Sequence, residues 1–138
     1  MDPNRILRDA TVQELQLELI RRTKFNTFDG ELVCELLAKY RGHWLAVLFD
    51  QLGVPNYDHP GRVPTGGLIK LRDLADNIWN VDSLFILTHT PEQARELCIV
   101  FEESGNGAMP YVIDDIEEAD LALGMGRRVY GLLKVWWD

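Results

Sequence analysis

Residues that commonly carry catalysis or bind metals are scarce in this chain of 138 residues, which has two cysteines and three histidines. None of His43, His59 and His89 is paired with another histidine or a cysteine at metal-ligand spacing. No serine stands in a Gly-x-Ser-x-Gly elbow, and no glycine-rich turn is followed by Gly-Lys-Ser or Gly-Lys-Thr. The templates of common hydrolases, zinc sites and P-loop enzymes therefore fail, and we expect no catalytic residue, no metal and no cofactor.

Long apolar runs and secretion signals are missing as well. No uninterrupted apolar stretch is long enough to cross a bilayer, and no apolar run follows the first five residues as it would in a signal peptide. Cys34 and Cys98 each lie within an apolar helical pattern, which favours free buried thiols over a disulfide. We therefore expect a cytoplasmic protein that does not bind membranes.

Positive charge is the third shortage, since 14 Lys and Arg face 22 Asp and Glu and the formal net charge is −8. The excess acid lies almost entirely after residue 53: residues 1–53 hold 7 basic and 8 acidic residues, whereas residues 54–138 hold 7 and 14. Such a surface repels the phosphates of nucleic acids and anionic lipids, and it favours a basic partner or a cation. Nucleic-acid binding is therefore disfavoured.

The second half of the sequence predicts strands joined by helices. Apolar runs indicate strands near residues 84–88, 110–114 and 128–137. A helix should begin near Pro91, with Thr88 or Thr90 as its N-cap, and should end at residues 104–107. A strand, a crossover helix and a strand predict a parallel pair with a right-handed connection. Asp115 should cap a short helix over residues 116–123 that closes at Gly124.

The first half predicts a helical hairpin. Thr11 and Glu14 have the spacing of a capping box, so helix 1 should begin there and end near residue 22 or 23. A link at residues 24–30 carries two phenylalanines, which we interpret as pinning it to the core. Helix 2 should start near Asp29. The apolar spacing continues past Gly42, which predicts either one kinked helix or two.

These patterns predict a single domain with an α/β or α+β fold: an N-terminal helical hairpin packed on a small mixed sheet of three or more strands, with crossover helices. The helical part would cover residues 11–52 and the α/β part residues 68–138. Between them, residues 53–67 hold three prolines and four glycines and predict a loop. Residues 68–78 favour a helix, although residues 68–71 could form a short strand.

Polar residues at the carboxyl ends of the predicted strands are candidates for a ligand site. Asp114 and Asp115 begin an acidic run that ends at Asp120, and His89 follows the first of these strands. Arg127 and Arg128, next to two glycines, could bind a phosphate or a carboxylate. A solvated first helical turn also explains the acidic run, because carboxylates there favour the helix dipole.

Two adjacent tryptophans end the last strand, and neighbouring residues on a strand point to opposite faces. One of Trp136 and Trp137 should therefore point away from the main core. It would either cover a second small core or act as an exposed anchor for a protein partner.

Two classes of function remain open. The preferred hypothesis is a non-enzymatic, acidic, cytoplasmic interaction module of the regulatory, immunity or inhibitor type, which binds a basic protein surface through Glu117, Glu118, Asp120 and Trp136. The alternative is a small enzyme or ligand-binding domain that uses the strand ends, with His89, Asp114, Asp115 and Arg127 or Arg128. A homodimer formed through the edge of the last strand is a third possibility.

Overall fold

A four-stranded sheet with helices packed on one face organises the computed structural model, which describes residues 6–50, 69–79, 81–124 and 130–137. The predicted loop at residues 53–67, and Arg127 and Arg128, lie outside the described residues. In chain order the elements are α1 Val12–Arg22, β1 Lys24–Phe25, β2 Phe28–Asp29, α2 Gly30–Lys39, β3 Trp44–Phe49, α3 Ile69–Leu74, β4 Ser83–Thr88, α4 Pro91–Glu103, β5 Met109–Val112, α5 Ile116–Leu123 and β6 Gly131–Trp136. Short 3₁₀ turns precede α1 and β3. The predicted mixed fold of helices and sheet, with helices at the N-terminus, is confirmed.

The N-terminal helices form the predicted hairpin, since α1 and α2 pack together and α1 contacts β3. The capping box at Thr11 is present: the Glu14 N–H donates to Thr11 Oγ1 at 3.1 Å, and Glu14 Oε1 accepts from the Thr11 N–H at 3.1 Å. Asp29 caps α2 by accepting from the Glu31 N–H. Between the helices, β1 and β2 form a two-residue hairpin that buries Phe28, as expected.

Gly30 allows the two helices to approach closely. Its N–H donates to the carbonyl of Thr23 at 3.0 Å, and a Cβ at residue 30 would overlap the carbonyl oxygen of Ile20. Any side chain there would collide with backbone, which cannot move aside as a flexible side chain can. The hairpin therefore depends on glycine at the first position of α2.

The predicted helical continuation past Gly42 is wrong. After α2 and one 3₁₀ turn the chain is extended, and β3 pairs antiparallel with β4 along its length. Short apolar runs fit a buried strand and a helix equally well, and pairing with a distant segment decides between them. Val47 and Phe49 face the core opposite Ile86 and Leu84.

The predicted parallel pair is also corrected. The sheet order is β3-β4-β6-β5, and each described neighbouring pair is antiparallel. β4 and β5 therefore run in the same direction with β6 between them. Leu133 and Val135 of β6 are fully buried, which suits a central strand, whereas Pro110 of β5 has no N–H to donate and suits an edge. Because β6 is internal, it has no free edge for the dimer contact through the last strand that the sequence left as a third possibility.

The helices of the second half follow the predictions closely. Thr90, and not Thr88, caps α4, with Pro91 as its first residue. Asp115 caps α5, whose Glu118 N–H donates to the Asp115 carboxylate at 3.0 Å. Gly124 ends α5 with φ +64°, a left-handed conformation that favours glycine. The helix predicted over residues 68–78 is shorter in the structure, where α3 ends at Leu74.

Trp137 lies at the centre of the core. Its ring makes edge-to-face contacts with Phe28 at 4.7 Å and with Phe101 of α4 at 6.2 Å, and Phe28 stacks on Phe49 of β3 at 4.9 Å. These contacts connect the N-terminal hairpin, the sheet and α4. Trp136 is only partly buried, which agrees with the predicted alternation of the two tryptophans.

The longest described helix, α4, has 13 residues. Among the helices that the structure describes, none combines the length and the apolar character needed to cross a bilayer.

Helix α1 also covers the outer edge of β3. The Gln13 amide accepts from the Val47 N–H at 2.8 Å and donates to the Val47 carbonyl at 3.0 Å, as a neighbouring strand would. Gln16 accepts from the Phe49 N–H at 3.0 Å. A sheet edge exposes backbone groups that can pair with another chain, and these two side chains occupy them.

We expect Gln13→Ala to lower the free energy of unfolding by about 1–2 kcal/mol, because two backbone groups of Val47 lose their partners. Gln16→Ala, which removes one bond, should cost less. Urea unfolding measures both, and Glu35→Ala on the exposed face of α2 controls for the helix propensity of alanine. A Gln13→Ala protein as stable as the Glu35→Ala protein would contradict the role of the glutamine at the edge.

Candidate protein-binding surface

The segment 81–124 is strongly acidic, with ten Asp or Glu and a single basic residue among Lys and Arg, Arg95. In α4 the apolar residues Ala94, Leu97 and Phe101 face the core and are buried. The opposite face carries the charged residues of α4 together with the exposed Ile99. The exposed carboxylates of this segment are Glu92, Glu96, Glu102, Glu103, Asp114, Asp115, Glu117 and Glu118. We call this set the acidic surface.

Among the described residues, two cationic side chains contact the acidic surface. Arg95 Nη2 lies 3.0 Å from Glu92 Oε1, and His43 Nε2 lies 2.8 Å from Glu96 Oε2. Within the described ranges, no ion pair involves the remaining six carboxylates. All six are exposed to solvent, and neighbouring carboxylates of this kind repel one another and attract cationic groups.

The predicted binding residues divide between two places. Glu117 and Glu118 are exposed on α5, with Asp120 partly buried beside them. Trp136 pairs with Met109, the first residue of β5, whereas α5 follows the other end of that strand. The length of β5 separates the two ends by roughly 10 Å. The Trp136 indole N–H donates to Asp82 Oδ2 at 3.1 Å, so its polar end already has a partner.

The residues of the alternative site lie at one end of the sheet. His89 follows Thr88, which pairs with Gly131 of β6, and Asp114 follows Ile113, whose N–H donates to Leu132 of the same strand. β6 therefore separates His89 from Asp114, and both side chains are exposed. The described residues contain no cluster of three or more histidine, cysteine or carboxylate side chains able to hold a metal.

Neither cysteine has the environment of a nucleophile. Cys34 and Cys98 are free thiols, as predicted, but each is only partly buried. Burial raises the pKa of Cys34 to about 11, and its thiol donates to the carbonyl of Leu17. Burial also raises the pKa of Cys98. Because the thiolate is the reactive form, both thiols are poor nucleophiles near neutral pH.

A cavity of about 380 Å³ lies at the end of α1, and the sequence did not lead us to expect it. The end of α1, the strand β1 and the segment after α3 form its walls. The lining residues are Leu19, Arg21, Arg22, Thr23, Lys24, Phe25, Leu74, Asn77, Ile78 and Trp79. We call it the cationic pocket, because its described lining residues include three basic ones and no acidic one. The basic run at residues 21–24 is the signal that could have indicated it.

Glu18, just behind the cationic pocket, holds two of these cations. Arg21 Nε donates to Glu18 Oε2 at 2.7 Å, and Arg22 Nη2 donates to Glu18 Oε1 at 3.1 Å. The hydrogen bond from Arg21 is the main cause that lowers the pKa of Glu18 from 4.5 to about 2. The carboxylate thus stays charged in moderate acid and orients both guanidinium groups.

Glu18→Gln tests this arrangement through its pH dependence. A lowered pKa means that Glu18 stabilises the fold above about pH 4.5 and loses that contribution as the pH falls towards 2. We expect the variant to be less stable than the parent by about 0.5–1 kcal/mol at pH 7, a modest value because both arginines are partly exposed. Urea unfolding at pH 7 and pH 3 should show the difference shrinking in acid, and a constant difference would contradict the ion pairs.

No protein-family model matches the chain, and no curated protein or solved structure matches it either.

Proposed function

We propose that the protein is a non-enzymatic interaction module that binds a protein with a basic surface through its acidic surface. The observation that supports this most directly is the placement of Glu102 and Glu103. They lie in the last turn of α4, which contains no basic residue, and they have no ion pair in the described part of the chain.

Acidic side chains at this end of a helix are unfavourable for folding. The carbonyl groups at a helix C-terminus carry partial negative charge, so Lys or Arg is the stabilising choice in the last turn. By contrast, Glu117 and Glu118 lie in the first turn of α5, where the dipole favours them. Helix stability therefore explains Glu117 and Glu118 of α5 but not Glu102 and Glu103 of α4. Residues that oppose a local folding rule are expected at functional positions.

The acidic surface also has a suitable extent. Helix α4 spans about 20 Å, and its direction places Glu102 and Glu103 at one end of β5 and the acids of α5 at the other. A basic partner could contact both ends, and long-range attraction between the two charged surfaces would accelerate association. The proposal includes a cytoplasmic location, where Cys34 and Cys98 would stay reduced.

The alternative, a small ligand site at the strand ends, has one supporting observation. His89 and Asp114 follow strands that end at the same side of the sheet. The backbone N–H of His89 donates to Gln93 Oε1 at 3.1 Å, which is what a residue before a helix commonly does. Substitution of His89 by Ala would weaken a ligand site at the strand ends but would leave the binding of a basic protein intact, because His89 lies outside the acidic surface.

Charge reversal tests the interaction module. Immobilised parent protein, Glu102→Lys/Glu103→Lys and Glu117→Lys/Glu118→Lys would be exposed to the same extract of the cells that produce the protein, and mass spectrometry would quantify the proteins retained. Glu31→Lys/Glu35→Lys on exposed positions of α2 is the control, because it changes the net charge by the same amount outside the acidic surface.

We expect a basic protein that the parent and the control retain and that both α4 and α5 variants lose. Its association rate should fall as salt rises from about 50 to 300 mM, because screening shortens the range of the attraction. Equal loss of the partner from the control and the α5 variant would mean that only net charge matters, and it would refute a defined binding surface.

A further inference from the structure

The cationic pocket has a composition that neither folding nor the proposed protein interaction explains. Its basic residues belong to the end of α1, a helix that packs on β3, and to β1, whereas the acids of α4 belong to a helix that packs on β5 and β6. Because the two regions share no residue, a ligand in the pocket is independent of the proposed protein interaction.

The charge of the pocket is opposite to that of the whole molecule. The chain has a net charge of −8, yet Arg21, Arg22 and Lys24 line the pocket and none of its described lining residues is a carboxylate. Glu18 behind them and Glu31, which also acts on Arg21, offset part of this positive charge. In a protein that repels anions elsewhere, this is a local site that attracts them.

A structural explanation accounts for only part of this charge. Arg21 and Arg22 occupy the last turn of α1, where cations favour the helix dipole. Lys24 lies beyond the helix in β1, is exposed and makes no described ion pair. Helix stability therefore leaves one cation of the pocket unexplained.

The other wall of the pocket is apolar and partly open to solvent. Leu74 and Ile78 are 47% and 50% exposed, which is high for large aliphatic side chains, and Trp79 beside them is partly buried. Phe25 is held in place by stacking on Phe28 at a centroid distance of 5.4 Å. A flat apolar group between these side chains would bury their apolar surface, and burial of apolar surface makes the free energy of binding more favourable.

We propose that the cationic pocket binds a small organic anion that has a flat apolar part. The anionic group would lie against Lys24 and the free N–H groups of Arg21 and Arg22, and the flat part would lie against Phe25, Ile78 and Trp79. The volume of about 380 Å³ falls within the range of small-molecule sites. Inorganic phosphate alone would leave the apolar wall in water, and a neutral aromatic molecule would leave the cations without a partner.

Three naphthalene probes of similar size separate these cases: 1-naphthoate is anionic, 1-naphthalenemethanol is neutral and 1-naphthylmethylamine is cationic. Each would be titrated into the ¹⁵N-labelled full chain, with inorganic phosphate as a fourth titrant. The tryptophan indole N–H signals report the location, after Trp79→Phe assigns the Trp79 signal among those of the four tryptophans.

We expect 1-naphthoate to shift the Trp79 indole signal saturably and to bind about tenfold more tightly than the alcohol, which corresponds to two partly screened charge contacts. The amine and phosphate should bind more weakly still. Equal affinity for the acid and the alcohol would overturn the anion preference. Equal affinity for phosphate and 1-naphthoate would contradict the proposal that the ligand has a flat apolar part. Shifts confined to the indole signals of other tryptophans would contradict the proposed location.

Three variants of residues in or behind the pocket and one control outside it should change the affinity for the probes in different directions. Lys24→Gln should weaken 1-naphthoate binding about two- to fivefold, whereas Lys39→Gln, an exposed lysine on α2 outside the pocket, should leave it unchanged. Glu18→Gln should strengthen binding, because it removes the carboxylate that offsets the arginines. Ile78→Ser should weaken the binding of 1-naphthoate and of 1-naphthalenemethanol by similar factors. The same affinity in the Lys24 and Lys39 variants would refute the assignment, provided that the spectra show both are folded.

Discussion

The contact of Trp137 with Phe28 and Phe101 connects the parts of this protein that are most distant in sequence. Phe28 belongs to the hairpin between α1 and α2, Phe101 to α4, and Trp137 to the last described residues. Aromatic side chains bury large areas and prefer edge-to-face geometry, so this cluster contributes both stability and a defined orientation. The face of the sheet that carries it also carries the rows from Val47 to Leu133 and from Phe49 to Val135.

The burial of this one face determines where polar groups can lie. Because α1, α2 and α4 cover the same side of the sheet, their outer sides face solvent and carry charged residues beside exposed apolar ones such as Leu32 and Ile99, and α5 carries the exposed Leu121. Residues of like charge that are close along the chain therefore also lie close together on the surface. The cations at the end of α1 belong to a helix that packs on β3, and the acids of α4 belong to a helix that packs on β5 and β6.

Both edges of the sheet are protected by different means. Side-chain amides of α1 pair with the backbone of β3, and Pro110 removes a donor from β5. Interactions with other molecules are therefore expected on side-chain surfaces, the acidic surface and the cationic pocket, and not by the addition of a strand. This favours charge-dependent association over the strand pairing that an open edge would allow.

Local features of this fold could be read from the residues alone. The caps at Thr11, Asp29, Thr90 and Asp115, and the left-handed end of α5 at Gly124, depend on hydrogen bonds and backbone conformations that span no more than four residues. Such interactions can be predicted without knowing what lies across the molecule. The acidic character of the second half needed only a count of residues.

Features that join distant segments emerged only from the folded molecule. Residues 44–49 are a strand because β4 lies beside them, although their apolar spacing also suits a helix. Strand β6 lies between β4 and β5, where its buried side chains have neighbours on both sides. The order of elements along the chain does not predict that the last strand takes an internal position in the sheet. The cationic pocket combines residues 19–25 with residues 74–79, which are about fifty positions apart. Contacts between distant segments depend on the free energy of the whole packed arrangement, and no local pattern encodes that quantity.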